Sequence, residues 1–147
     1  MKRVVVVAGA LLLGMGAVVA QQDVAVQQQN LMKSQGRSMY GVLNKMVKGE
    51  TPFDKAAADA ALKALADDVA KIPTVWTTNP KEDVKDATFG SSQKIWQNKA
   101  DFDAKVPLVA KAIADAKFTD AASLKVAYDA IQEKCNGCHE TYRVKLK

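Results

Sequence analysis

Four stretches of the chain carry apolar residues at intervals of three and four, and none shows the alternation of a strand bounded by hairpin turns. That periodicity calls for helices. The first stretch runs from about Asp23 to Lys48, with Val24, Leu31, Met32, Met39, Leu43 and Met46 near helical spacing, and stops at Gly49. Thr51, Pro52 and Asp54 open a second, alanine-rich helix through Ala61, Leu62, Leu65 and Val69, which ends before Pro73. Residues 73 to 91 include Pro73, Pro80 and Gly90 and have no clear period, so they read as a long crossover or functional loop. Ser91 or Ser92 caps a third helix through Ile95, Trp96, Phe102, Val106, Val109 and Ile113, which Pro107 should kink by removing a ladder donor. Thr119 or Asp120 caps the last, striped by Leu124, Tyr128, Ile131, Cys135, Cys138 and Tyr142. Four helices with mostly short connections predict an all-α fold, an antiparallel up-down-up-down four-helix bundle.

The segment ahead of these helices reads differently. Lys2 and Arg3 precede an apolar run from Val4 to Ala20 that is rich in Gly and Ala and ends Val18-Val19-Ala20. A basic start, an apolar middle and small residues at the end make a cleaved secretory leader over residues 1–20; 17 apolar residues are near the lower limit for a membrane anchor. Cleavage after Ala20 leaves Gln21–Lys147 as one domain with 19 basic and 16 acidic side chains. Export to a bacterial periplasm follows, with no membrane insertion once the leader is gone. The basic and acidic residues are interleaved, which argues against a nucleic-acid partner.

Cys135-Asn136-Gly137-Cys138-His139 is the sharpest motif in the chain. C-x-x-C-H is the attachment sequence for c-type haem. On a helix, sulfurs three residues apart share a face, where each can form a thioether with one haem vinyl group. His139, four residues after Cys135, then offers an imidazole nitrogen to the iron. The expected cofactor is one covalent haem c per chain. A redox dithiol has the same C-x-x-C spacing but is expected at a helix start after a strand. Zinc would lack a fourth Cys or His ligand, and a disulfide would close only a very short loop.

With a single His in the chain, the opposite face of the iron needs a different ligand. Met32, Met39 and Met46 are the soft candidates, spaced by seven along one stripe of the first helix. In an up-down bundle the end of the fourth helix lies beside the start of the first. His139 is eight residues before Lys147 and Met32 nine after Asp23, whereas Met39 and Met46 are displaced by about 10 and 21 Å at 1.5 Å per residue. Met32 is therefore the expected sixth ligand and the other two are core. Thioether opposite imidazole raises the reduction potential relative to two nitrogen ligands and suits an electron carrier.

Several other residues carry two readings. Gly36, one turn beyond Met32, either admits a flat ring close to the backbone or marks a kink; Gly41 reads as a kink. Arg143, one turn after His139, either tunes the imidazole or a propionate or is simply solvated. Trp76, Trp96, Phe102 and Tyr128 can wall a pocket or fill core. Gln28 and Gln29 can reach haem propionates, although glutamines at a helix start need no such role.

On these residues the chain resembles the class II c-type cytochromes, the cytochrome c-prime family, and within it the low-spin cytochromes c-556. The resemblance spans the whole mature chain: Gln21-Gln22-Asp23, Leu31-Met32-Lys33, Lys48-Gly49-Glu50 with Pro52, Ile95-Trp96 and Cys135 to Glu140. It implies covalent haem on Cys135 and Cys138, His139 as proximal ligand, Met32 as sixth ligand, and electron transfer in the periplasm through transient docking with redox proteins. No catalysis is expected. Many cytochromes c-prime carry an arginine early in the first helix where this chain reads Gln27-Gln28-Gln29, which leaves the propionate partner unassigned. The alternative reading is a five-coordinate cytochrome c-prime-like protein that binds NO or CO. Homodimers occur in the class, so the resemblance implies a homodimer beside the monomer as the two assembly states.

Overall fold

A computed structural model describes residues 12–80 and 82–147. The first part of the expected leader, residues 1–11, lies outside the described residues. Helix runs from Leu12 to Val47 in three pieces: α1 (Leu12–Gly36), a wide π-helical segment (Arg37–Leu43) and α2 (Asn44–Val47). In the wide segment the N–H groups reach five residues back, as Asn44 does to Met39 O, so the buried stripe slips relative to regular α-geometry. Gly36 directly precedes this segment and Gly41 lies within it. The local disturbance read from these glycines is therefore present.

The unit stops where expected. Gly49 takes a φ of 72°, a conformation that favours glycine, and its N–H bonds Met46 O at 3.1 Å while Glu50 N–H bonds Lys45 O at 2.8 Å. Asp54 then caps α3 (Lys55–Val69) by accepting from Ala57 N–H at 3.0 Å. A short α4 (Ile72–Val75) follows, with Pro73 in its first turn.

The expected third helix is divided. Asn98, at φ −136° and ψ 56°, separates α5 (Lys94–Gln97) from α6 (Lys99–Asp115). Neither serine therefore caps the long helix. Ser92 Oγ accepts from Lys94 N–H at 3.3 Å beside the short α5, and Ser91 lies in a strand. Helix α6 continues through Pro107. Asp120 opens α7 (Ala121–Tyr142) with a capping box, its carboxylate accepting from Ser123 N–H at 2.8 Å while Ser123 Oγ accepts from Asp120 N–H at 3.2 Å.

The long helices close over one core. Helix α7 packs on α6 and on α2, and α3 packs on α1, the wide segment and α6. Leu43, Leu65, Val69, Ile95, Leu124 and Ile131 are the largest fully buried side chains. Asp68 is also buried, and Lys71 Nζ meets its carboxylate at 2.8 Å.

A small antiparallel sheet, which the all-α expectation did not include, joins the long connection to the C-terminus. Strand β1 (Phe89–Ser91) pairs with β2 (Arg143–Lys145) in the register Phe89↔Lys145, Gly90↔Val144 and Ser91↔Arg143. Ser92 N–H bonds Tyr142 O and Leu146 N–H bonds Thr88 O, both at 2.9 Å, and Lys147 Nζ pairs with Asp86 at 2.6 Å. A Cβ on Gly90 would stand 2.1 Å from Asp83 Oδ1, so the strand lies directly against the loop that leads into it. The last five residues thus act as a strap over residues 82–92.

Two consequences can be measured. Ile131→Ala, at a site with 0% exposure, should lower stability by about 3 kcal/mol in urea unfolding. Deleting residues 144–147 should speed amide exchange across residues 88–92 by about tenfold or more, while amides in α3 keep their protection.

Candidate functional site

The motif lies inside a continuous helix. Leu124, Tyr128 and Ile131 anchor one stripe of α7 in the core, and the same stripe carried onward brings Cys135, Cys138 and Tyr142 to the inner side of the bundle. Both cysteines are free and partly buried. They and His139 line a cavity of about 480 Å³ between α7 and α1. Met32, Gly36 and Met39 line it from the first helical unit, and Trp76, Ile95, Phe102 and Val106 add apolar wall. The volume falls within the roughly 300–1,000 Å³ of small-molecule and cofactor sites.

Electrostatics separate the readings of the motif. Burial pushes the Cys135 thiol up to about 11, with Cys138 the second cause, and burial also raises Cys138. A reactive dithiol has its thiolate stabilised instead, at a helix start or beside cations. Burial, then the charge of Arg143, lowers His139, which keeps the imidazole neutral and its lone pair available to a metal. Among the described residues, no group of three or more His, Cys, Asp or Glu side chains is placed to hold a metal ion, as the zinc reading requires.

Met32, expected on grounds of depth along the helix, is on the cavity and only partly buried. Met46, 6% exposed, is core as expected. Met39 is 4% exposed and belongs to the core, but it also forms part of the cavity wall. Gly36 lines the cavity as well as preceding the wide helical segment, and a Cβ there would meet only Tyr40 Cδ2, at 4.0 Å. Donor set and shape together fit a flat, mostly apolar macrocycle with a central metal: two thiols on one face, a neutral imidazole beside them and a thioether from α1.

The remaining candidates divide. Trp76 and Phe102 are cavity wall, whereas Trp96 and Tyr128 are not among its lining residues. Gln29 lines the cavity and accepts from Lys33 Nζ at 3.1 Å. Gln28 is 3% exposed and already engaged: its Nε2 donates to Val75 O and Thr78 O at 3.3 and 3.2 Å, and its Oε1 accepts from Ser91 Oγ at 3.0 Å. Trp76 Nε1 donates to the same Ser91 Oγ at 3.0 Å. Gln28 therefore locks α1 to the long connection and is not a free propionate donor. Arg143 stacks over the Phe89 ring at 4.5 Å on the cavity's edge, so it is not simply solvated, and its charge acts on His139 from there.

Several lining residues were not anticipated. Asp83, Thr88, Phe89 and Gly90 reach the cavity because the strap holds residues 82–92 against it, and no local pattern announces that pairing. Tyr142, known only as a stripe position, donates its hydroxyl to Asp101 Oδ2 at 2.5 Å and packs edge-on to Phe102 at 5.3 Å between centroids. Lys105, which pairs with Asp101 at 3.6 Å, completes that side.

Comparison with known proteins gives a consistent result. A family model described as cytochrome c′ matches residues 23–143. Cytochrome c-555 of Bradyrhizobium diazoefficiens is 60% identical over 149 residues, covering 100% of both chains. Cytochrome c-556 of Rhodopseudomonas palustris is 43% identical, covering 99% of each. A structure of oxidised R. palustris cytochrome c556 aligns with a TM-score of 0.72 at 38% identity, covering 86% of this chain and 99% of that one. Cytochrome c′ from R. palustris aligns at 0.75 and 32% identity, covering 85% and 98%. With four-helix-bundle relatives matched almost end to end and a family model spanning the cavity and its motif, the chain belongs to the cytochrome c′ family.

Proposed function

We propose that this c-type cytochrome is a low-spin, six-coordinate carrier of single electrons in the periplasm. Cys135 and Cys138 hold one haem c by thioether bonds, His139 is the proximal iron ligand and Met32 the sixth. Residues 1–20 are the leader, and Gln21–Lys147 is the mature haem domain, whose helices alternate in direction. The observation that carries this reading is the presence of Met32 on the same cavity as Cys135, Cys138 and His139, from the facing helix.

Bound haem supplies a one-electron ferrous/ferric couple. The chain's contribution is geometric and dielectric. Helix α7 presents the thiols and imidazole from one turn, so attachment and proximal ligation share a rigid frame. Helix α1 presents the thioether, a weak ligand that the fold must hold in place. Trp76, Phe102 and Val106 keep water from the interior wall. Two ligands held by packed helices move little between oxidation states and leave no position for a substrate. Redox proteins dock transiently to collect or deliver the electron.

The natively matured protein should show a six-coordinate low-spin spectrum with a weak far-red band from sulfur-to-iron charge transfer. Met32→Ala should convert it to a high-spin spectrum that changes with carbon monoxide or nitric oxide, whereas Met39→Leu should leave it low-spin. An unchanged spectrum in Met32→Ala would assign the sixth position to another group, and a high-spin wild type would favour the gas-binding alternative. A colourless exported protein with the mass of bare polypeptide would remove the haem altogether.

A further inference from the structure

Among the described residues, three side-chain polar atoms are closed off from solvent without a hydrogen-bond partner: Gln35 Nε2, Trp96 Nε1 and Gln132 Oε1. Only Gln35 of these three lines the cavity. Such a donor is costly to bury unless an acceptor meets it in the working protein. We infer that Gln35 is a positioning residue of the electron-transfer site, its Nε2 donating to the thioether sulfur of Met32 when that sulfur serves as the ligand. The inference rests on the proposal that Met32 is the sixth ligand.

Helix geometry supplies the contact. Met32 and Gln35 both lie within α1, which stays regular to Gly36, and residues three apart on a helix are side-chain neighbours with Cβ atoms about 5–6 Å apart. Met39 lies beyond Gly36 in the wide segment, where that spacing is lost. A thioether is a weak acceptor, but an amide closed off from solvent has few choices. Haem carboxylates are the competing acceptors. Lys33 and Arg143 line the cavity at exposed positions and Lys105 at a partly buried one, where a carboxylate keeps both hydration and a cation. Beside the enclosed Gln35 amide the same carboxylate would exchange its water for one neutral donor.

The contact has a directional consequence. An N–H pointing at the sulfur draws electron density from it, so the sulfur gives less to the metal, which disfavours the more positive ferric state. Gln35 therefore raises the reduction potential.

The test is a double-mutant cycle on the haem-loaded protein, comparing wild type, Gln35→Leu, Met32→Ala and the double variant by spectroelectrochemical titration. With Met32 present, Gln35→Leu should raise the ferric-to-ferrous ratio at fixed ambient potential by about threefold. It should also move the sulfur-to-iron band to longer wavelength. In the Met32→Ala background the same substitution should leave the ratio unchanged. An equal shift in both backgrounds, or no shift with Met32 ligation intact, overturns the role of Gln35 alone. A low-spin spectrum that survives Met32→Ala overturns the ligand assignment and the inference with it. A measurement independent of any variant is proton NMR of the reduced, labelled protein: a slowly exchanging Gln35 side-chain amide proton with a cross-relaxation peak to the Met32 methyl is expected, and rapid exchange of both amide protons overturns the contact.

Discussion

The burial of one stripe of α7 decides the direction of every other part of the site. Leu124 and Ile131 are almost wholly withdrawn from solvent, and they fix the rotation of a helix that continues unbroken through Cys135, Cys138 and His139 to Tyr142. Rotating that helix by one residue position would swing its Cβ vectors by about 100° and carry the motif out of the bundle. The apolar residues of the early turns therefore aim chemistry located three turns later. Asp120 and Ser123 set where the helix begins, and hence the phase of everything after it.

A second constraint acts from the other side. Close-packed interiors do not ordinarily keep a volume of several hundred Å³ beside their core unless something is meant to fill it. Here the buried Met39 and Leu65 form part of the cavity wall, while Gln28 wires α1 to Val75, Thr78 and Ser91. The strap of β1 and β2 supplies a further wall from a connection with little secondary structure of its own. Helices, network and strap together keep the walls apart at one level and packed elsewhere, which is the form a rigid cofactor frame requires.

Much of this was legible in the residues. Helix ends marked by Gly49, Asp54 and Asp120 depend on contacts within a few positions, and all three appear as read. Placing Met32 level with His139 needed only the rise per residue and an assumed alternation of helices, and the two do share a cavity. The break at Asn98 was hidden because the apolar stripe continues across it. Gln28 could not be read correctly either: its partners are carbonyls and a hydroxyl some fifty residues or more away, and nothing in a run of three glutamines distinguishes the one that faces inward.

By itself the sequence determined the helical class, the attachment chemistry implied by Cys135, Cys138 and His139, and the residue types able to face the iron, because these follow from spacing along a single helix and from the donor atoms each side chain owns. Tertiary structure alone decided that Met39 joins the cavity wall as well as the core, that Arg143 rests on Phe89, that the last residues strap down the long connection, and that Gln35 Nε2 is closed off from solvent. Those outcomes depend on distances between segments remote in the chain. Such distances are set by how whole helices pack, a property that no local window of sequence contains.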